Sequence, residues 1–378
     1  MDYALIMAGG AGTRLWPISR ERLPKPALKL YSDKSMFQIA VERLAPLFDP
    51  AHILVVAGPT HIPVLASQVP EIPSENFIIE PQGRGTAPAI GLAAVHLAER
   101  DPDAAMAVLT ADHHIGDTEE FRRVIAAALK LARDEDCLVT LGITPSSAST
   151  QFGYIQQGKS MGKFDGFEAF RVNRFVEKPP LEIAQKMLEE GGFAWNSGMF
   201  MWKVKTILQQ FEDLMPELHE QLMRIADALS LANDAHRAEG TVRLNEAELD
   251  ADKHLREVME TVWPNVAKQT IDYGIMEKAR NVGVIPVQME WVDIGNWDNL
   301  MELLPLDENS NAVRGDVILL NSHGSLVMGG KKLIAGAGLE DLIVVDTPDA
   351  ILVCRRDQVG EVKRIVEALK AAGRNDLI

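Results

Sequence analysis

Over roughly the first three hundred residues, short apolar runs alternate with stretches of helical periodicity. Tyr3–Ala8, Ile53–Ala57, Ala104–Thr110 and Leu138–Ile143 are β-like runs. Between them, Met36–Phe48, Pro88–Arg100 and Glu119–Arg133 repeat apolar positions three and four apart, as a helix does. Pro88 marks a first helical turn, where a missing N–H removes no bond. Strand and helix in turn predict βαβ units around a parallel sheet, an α/β fold. Open sheets of this kind bind ligands beyond the carboxyl ends of their strands. Chemistry is therefore expected just after Ala8 and Thr110. Residues from about 204 to 260 are mostly helical and rich in Leu, Ala, Glu and Gln; they read as a helical insertion packed on the sheet edge. From about Asn311, short β-branched runs (Asp316–Leu320, Leu326–Met328, Leu342–Val345, Ile351–Cys354) are separated by Gly, Asn and Asp. They predict a small β domain closed by a helix at about Gln358–Ala371. The pattern divides the chain into a large unit, residues 1–305, and a C-terminal β unit, residues 306–378.

Composition narrows the possible ligands. The 378 residues are 47% hydrophobic and 24% charged, as in ordinary soluble proteins, with a formal net charge of -16. Such a surface repels nucleic acid and anionic lipid, so neither is expected as a partner. An anionic small substrate would need a locally basic pocket. Cys137 and Cys354 stand in apolar surroundings and read as buried small hydrophobes, with no need for an oxidising compartment. No run approaches the ~20 apolar residues of a membrane helix, and the N-terminal run is too short for a signal peptide. A cytoplasmic location is expected.

The loop after the first apolar run is Gly9-Gly10-Ala11-Gly12-Thr13-Arg14. Glycines let a chain turn tightly and bring N–H groups against phosphate oxygens. Arg14 adds a permanently charged planar fork. A dinucleotide fingerprint would want a third Gly where this chain has Leu15. A tight turn without ligand is the other reading, and the loop alone does not decide. Lys25 then sits between Pro24 and Pro26, on a stretch stiffened by fixed φ angles. Alone it would read as a solvated lysine; beside a phosphate loop it suits a polyphosphate.

Gly153-Tyr154-Ile155-Gln156-Gln157-Gly158-Lys159-Ser160 matches the Walker A pattern, but its context is wrong. That motif needs a strand before it and a helix starting at Lys-Ser. Here a Ser/Thr-rich loop precedes, and Gly162 and Gly166 follow without an apolar helical face, which predicts a β-hairpin.

Seven segments in order resemble the sugar-phosphate nucleotidyltransferases: GGAGTRLWPISR at 9–20, EPQGRGTAPAI at 80–90, ADHH at 111–114, FVEKP at 175–179, WNSGMF at 195–200, DYGIMEK at 272–278 and WVDIGNW at 291–297. Within them the chain is most similar to the mannose-1-phosphate guanylyltransferases. The resemblance implies a GT-A-like (Rossmann-like) α/β domain with a mixed sheet flanked by helices, and a small C-terminal domain that is often β-helix-like. Longer relatives add an isomerase domain, for which this chain is too short. Relatives commonly carry Asn in place of Gly85 and Gln in place of Pro26.

The reaction implied joins GTP and α-D-mannose 1-phosphate into GDP-mannose and pyrophosphate. A phosphate monoester, with a second pKa of about 6, is already largely dianionic at pH 7, so no general base is needed. The obstacle is repulsion between two anions, and catalysis is mostly positioning and charge neutralisation. By resemblance, Arg14 and Lys25 hold the triphosphate and Lys178 grips the sugar's phosphate. Asp112 and Asp293 would hold Mg2+, a metal that takes one or two carboxylates beside phosphates and water; for either alone, a cap or turn aspartate reads equally well. His113 and His114 have no further His or Cys at ligand spacing and receive no metal role. Glu177 and Asn196 supply groups for sugar hydroxyls, Ser197-Gly198 allows close approach, and Gly153 joins this group. Asp272 fits the sugar pocket or an N-cap equally. Trp195, Trp291 and Trp297 read as core. Glu80 is a candidate for the two adjacent donors of guanine, with Arg84, Gly85 and Thr86 nearby; alternatively, backbone atoms read the base and Glu80 caps a turn. The C-terminal β domain offers a homodimer surface.

Two other functions remain in view. One keeps the chemistry but changes sugar or base, as in a glucose-1-phosphate thymidylyl- or uridylyltransferase. The other is a non-catalytic subunit that only binds nucleotide sugar, which would be expected to lack one of Arg14, Lys25, Asp112, Lys178 or Asp293. All five are present.

Overall fold

The computed structural model describes residues 1–10, 12–238 and 246–378. Strands and helices alternate first: β1 (Asp2–Met7), α1 (Met36–Leu44), β2 (Ile53–Ala57), α2 (Ile62–Gln68), β3 (Phe77–Ile79), α3 (Thr86–Arg100), β4 (Ala105–Thr110), β5 (His113–Ile115), α4 (Thr118–Asp134) and β6 (Leu138–Ile143). A hairpin follows, β7 (Tyr154–Phe164) and β8 (Phe167–Val176), then α5 (Leu181–Glu190), β9 (Phe193–Lys203), α6 (Val204–Leu214), α7 (Pro216–Ala238) and α8 (Glu246–Val262). The large unit ends with β10 (Val282–Val287), β11 (Trp291–Asp293) and α9 (Trp297–Met301).

The main sheet runs β3-β2-β1-β4-β9-β6-β10-β8-β7. β3, β2, β1 and β4 are parallel, β9 runs against both β4 and β6, and β10 is parallel to β6. A further pairing of β7 with β9 closes the last five strands into a ring. Strand residues point alternately to the two faces, and both faces are covered, which is why β1, β2, β4 and β6 read as continuous apolar runs. In β1, Ala4 and Ile6 join the core beneath α1, α2 and α4, while Tyr3 and Leu5 join the core beneath α3. Contrary to the expectation from sequence, the helices after β9 do not pack on the sheet edge. α6 and α7 lie on α3, with α8 on α7, forming an outer layer over that face.

The false Walker motif forms β7, with Lys159 exposed. Asp165 (φ +46°) and Gly166 (φ +95°) make the two-residue turn into β8, a left-handed pair suited to hairpin twist.

The C-terminal unit comprises β12 (Ala312–Arg314), β13 (Val317–Leu320), β14 (Leu326–Met328), β15 (Ile334–Ala337), β16 (Leu342–Asp346), β17 (Ile351–Arg355) and α10 (Val362–Ala371). β12, β14 and β16 are parallel with β17 antiparallel at the edge, and β13 pairs β15 in parallel. This is a short β-helix-like stack. Its core residues Leu326, Ile343, Val345 and Leu352 pack in one cluster with Leu15, Trp16, Ile294 and Trp297 of the large unit. Cys137 is buried, while Cys354 is only half-buried against this cluster, so the sequence reading holds fully for the first alone. Among the described residues, no helix is long and apolar enough to cross a membrane.

Candidate active site

β1 delivers the chain to the carboxyl edge of the sheet, where Gly9 and Gly10 line a cleft. Gly12 (φ +58°) is required twice over. Its backbone is left-handed, and a Cβ there would lie 2.7 Å from Lys25 Cβ. A 3₁₀ turn over Thr13–Leu15 follows, with Leu15 and Trp16 buried below as anchors. Arg14 is exposed at the cleft, and among the described residues its guanidinium has no hydrogen bond or ion pair; a Cβ on Gly295 would sit 3.6 Å from its Nη1. Ala11 lies outside the described residues. Lys25 is not the solvated lysine of the alternative reading. It is 8% exposed, with Nζ 2.6 Å from Asp112 Oδ2 and 4.0 Å from Asp293 Oδ1. Gly9, Gly10, Gly12, Thr13, Arg14, Lys25 and Asp112 share a cavity of about 190 Å³.

A three-residue strand pair brings the two aspartates together. β5 and β11 run antiparallel with His113 opposite Asp293, and Asp112 immediately precedes His113. Burial alone would raise the Asp112 carboxyl, but Lys25, then His113, hold it at about 2. Two carboxylates converge here, and among the described residues no cluster of three His, Cys, Asp or Glu completes a protein cage. That donor set fits a hard cation sharing its remaining positions with phosphate and water.

The adjoining cavity, about 370 Å³, is lined by Met7, Gly9, Gly10, Val56, Glu80, Gly83, Gly85, Thr86 and Ala89. Glu80 follows β3, and its Oε1 accepts from the Arg84 amide at 2.8 Å, so the turn-cap role is real. Burial raises this carboxyl, against the pull of that amide. The Arg84 guanidinium does not face the cavity. It donates to the Pro264 carbonyl at 2.7 Å and to Gln82 Oε1 at 2.9 Å. Thr86 Oγ1 accepts from the Ile271 amide at 2.8 Å. Gly85 caps α3 at φ +94°, and a Cβ there would run into the Gln269 carbonyl.

The third cavity, about 180 Å³, holds Gly153, Glu177, Lys178, Asn196, Ser197, Gly198, Asp272 and Asp293. Lys178 (φ +46°) is exposed and ion-paired to Glu177. This left-handed backbone is rare for lysine and recurs at functional sites. Among the described residues Glu177 Oε2 is buried without a hydrogen-bond partner, and it occupies the place a Gly153 Cβ would take, which explains that glycine. Asn196 Nδ2 donates to Asp272 Oδ1 at 2.8 Å, and Asn196 Oδ1 accepts from the Gly198 amide at 3.1 Å. Ser197 Oγ accepts from the Met199 amide. Asp272 is not an N-cap; Ile271 takes that place, and Asp272 opens a π-helical turn, Asp272–Met276, a feature frequent at functional sites. Burial, then the charge of Glu177, push its carboxyl up to about 6.

Sequence reasoning missed several lining groups. Thr110, His113, Gln151, Phe152 and Trp291 also face the third cavity. Trp195 and Trp297 are buried as expected, but Trp291 forms part of the cavity wall. His113 is pinned on both sides. Its carbonyl accepts from buried Arg43 at 3.0 Å, and its Nδ1 accepts from Trp291 Nε1 at 3.1 Å. The signal was present in the two matching segments, but not their pairing. The three cavities form one run: Gly9 and Gly10 belong to the first two, and Asp112-His113 and Asp293 join the first to the third.

Comparison with known proteins agrees with this arrangement. The nucleotidyl transferase family matches residues 3–310, and the MannoseP isomerase/GMP-like beta-helix domain matches residues 315–369. A mannose-1-phosphate guanylyltransferase of Klebsiella pneumoniae is 35% identical over 378 residues, covering 100% of this chain and 75% of the relative. One of Escherichia coli strain K12 is 36% identical, covering 99% and 74%. The xanthan biosynthesis protein XanB of Xanthomonas campestris strain B100 is 37% identical, covering 98% and 74%. The crystal structure of a mannose-1-phosphate geranyltransferase from Thermus thermophilus superposes with a TM-score of 0.82 at 33% identity, covering 98% of this chain and 99% of that one. The chain therefore belongs to the nucleotidyl transferase family, among its mannose-1-phosphate guanylyltransferases.

Proposed function

We propose that this chain joins GTP and α-D-mannose 1-phosphate into GDP-mannose and pyrophosphate. The observation that carries the reading is Lys25 between Asp112 and Asp293, at the junction of the triphosphate and sugar-phosphate cavities. Guanine enters the cavity of Glu80, Gly85 and Thr86. The triphosphate lies over Gly9, Gly10, Gly12 and Thr13 with Arg14 and Lys25 against its charges. Mannose 1-phosphate fills the third cavity, its phosphate at Lys178 and its hydroxyls toward Glu177, Asn196 and Asp272.

A non-bridging oxygen of the sugar phosphate attacks the α-phosphorus. The new O–P bond forms as the bond from the α-phosphorus to the α,β-bridging oxygen breaks, and pyrophosphate leaves with the electron pair. Arg14 and Lys25 neutralise charge growing on the leaving group, and Lys178 reduces repulsion between the anions. Preorganised charge of this kind is the main resource for phosphoryl and nucleotidyl transfer. Asp112 and Asp293 would hold Mg2+, which supplies further charge neutralisation and alignment. A cleft of glycine amides with the cations Arg14, Lys25 and Lys178 suits a nucleoside triphosphate rather than an isoprenoid chain.

For the base, Glu80 spends one oxygen on the Arg84 amide, leaving the other for guanine's donors. Arg84 itself has no part in this, its guanidinium being held elsewhere. The reading divides catalytic residues 1–305 from a C-terminal unit, 306–378, whose exposed Ile318, Leu320, Leu333, Ile351 and Val353 offer a surface for a second copy. The acidic surface and thiols without an oxidising requirement suit the cytoplasm.

Pyrophosphate release decides the reading. GTP with mannose 1-phosphate is expected to turn over best in a panel of GTP, ITP, ATP, UTP and dTTP against mannose and glucose 1-phosphates, and EDTA should abolish turnover. Turnover of no pair would overturn it. In Glu80→Gln, an unchanged preference for GTP over ATP and ITP would remove Glu80 from base reading.

A further inference from the structure

His113 has no role in the mechanism above, yet its ring is one of the most constrained in the cleft. It is 9% exposed and lines the sugar-phosphate cavity beside Asp293. Thr110 Oγ1 lies 2.7 Å from Nδ1, and Trp291 Nε1 lies 3.1 Å from the same atom, with the two rings edge-on at 5.2 Å. An indole nitrogen can only donate. Nδ1 must therefore be the unprotonated acceptor, and the neutral ring carries its one proton on Nε2. Nε2 has no bonded partner among the described residues. Asp112 Oδ1 lies 3.9 Å from it, beyond hydrogen-bond reach. Below the ring, buried Arg43 donates to the His113 carbonyl at 3.0 Å and rests on Phe121 at 5.2 Å, so backbone and ring are fixed independently.

We infer that His113 is a catalytic residue whose Nε2–H donates to a phosphate oxygen of the incoming hexose 1-phosphate, its tautomer set by Trp291. This rests on the functional reading above and extends it. His113 shares its cavity with the exposed Lys178 and with Asp293, and its Nε2 lies 3.9 Å from Asp112 Oδ1. A neutral donor suits that place, because it orients the attacking phosphate without repelling a cation held by the aspartates. Trp291 then acts as a positioning residue: it dictates which ring nitrogen carries the proton.

The test separates donor from scaffold. His113→Asn removes the Nε2 donor while keeping a polar amide near Nδ1. It is expected to lower kcat/KM for mannose 1-phosphate about 10- to 100-fold, the worth of a hydrogen bond to a charged group, with the KM for GTP within about twofold. His113→Gln places an amide N–H near the Nε2 position and is expected to recover most of the loss. Trp291→Phe keeps the imidazole but frees its tautomer. It should lower the same parameter several-fold, and it decides the matter if the His113 variants do not fold. The inference is overturned if well-folded His113→Asn matches wild type, if both substrates suffer equally, if Gln rescues no better than Asn, or if Trp291→Phe has no effect. A wild-type chain that cannot use GTP and mannose 1-phosphate overturns the functional reading and this with it. Normal wild-type turnover with an indifferent Asn variant overturns this alone.

Discussion

Lys25 Nζ lies 2.6 Å from Asp112 Oδ2, so the cleft supplies its own countercharge to the aspartates. A metal held by these aspartates would take over from Lys25 as their countercharge. Lys25→Met removes the proposed triphosphate contact and leaves Asp112 and Asp293 without the ammonium between them. Turnover should fall about 1,000-fold, in the range lost when a preorganised charge contact is removed, and the melting temperature should drop at neutral pH. Mg2+ should then raise the melting temperature of the variant more than that of wild type, because the ion becomes the countercharge. Calorimetry with Mg2+ and with EDTA reads this directly. Equal shifts in both proteins would remove the aspartates from metal binding.

Gly85 and Gln269 form a second junction. The Gln269 amide donates to the Arg84 carbonyl at 3.0 Å, and the Ala87 amide donates to the Gln269 carbonyl at 3.2 Å. With φ at +94° and the Gln269 carbonyl carbon 2.9 Å from an added Cβ, only glycine fits between them. An Asn cannot enter this backbone unchanged. Gly85→Asn is expected to cost about 2–4 kcal/mol of stability, as strained backbone and steric substitutions do, and to raise the KM for GTP. A variant as stable as wild type, with unaltered GTP kinetics, would show that the loop adapts freely.

The parts of this arrangement that could be read from sequence are those encoded locally. β1, β2, β4 and β6 are continuous apolar runs because both sheet faces are covered, and Gly12 and Lys25 stand in segments close in the chain. What escaped depends on distant pairing. β5 and β11 are three residues each, too short to show a period, yet their pairing places Asp293 opposite His113. The helices after β9 carry the same apolar stripe whether they meet a sheet edge or α3. Arg84 belongs to a matching segment, but its direction is set by the Pro264 carbonyl, 180 residues on. His113 looked idle because its partner Trp291 lies 178 residues away.

Trp16 links the glycine-rich loop to the far end of the chain. Its Nε1 donates to the Leu377 carbonyl at 2.8 Å, while its own carbonyl accepts from Trp297 Nε1 at 3.0 Å. Trp16 lies two residues beyond Arg14, and Trp297 four beyond Asp293, so both site loops are seated on the C-terminal core. Trp16→Phe keeps the packing and deletes the bond to Leu377. Loss of one buried bond should cost about 1–3 kcal/mol and raise the KM for GTP several-fold, with the KM for mannose 1-phosphate less affected. Equal changes in both constants would argue against a seat specific to the triphosphate loop.

Asp272 sets a pH dependence whose sign is opposite to that of an ordinary ion-paired acid. Its folded pKa is raised from 3.8 to about 6 by burial and then by Glu177. The native state therefore favours the protonated form. The stability this contributes is fully present below the unfolded value and is lost as pH rises through about 6. At pH 8 the ionised carboxylate costs the folded protein up to roughly 3 kcal/mol, since each tenfold change in proton affinity is worth about 1.4 kcal/mol. Asp272→Asn keeps an oxygen to accept from Asn196 and removes the charge. It is expected to be more stable than wild type at pH 8, with the advantage shrinking through pH 6 and gone near pH 4. Its KM for mannose 1-phosphate should rise at every pH, because the amide forfeits one acceptor for sugar hydroxyls. Chemical denaturation across that range, paired with pyrophosphate-release kinetics, tests both halves. A stability difference independent of pH would mean that Asp272 is ionised and compensated in the native state, and that the charge of Glu177 is screened from it.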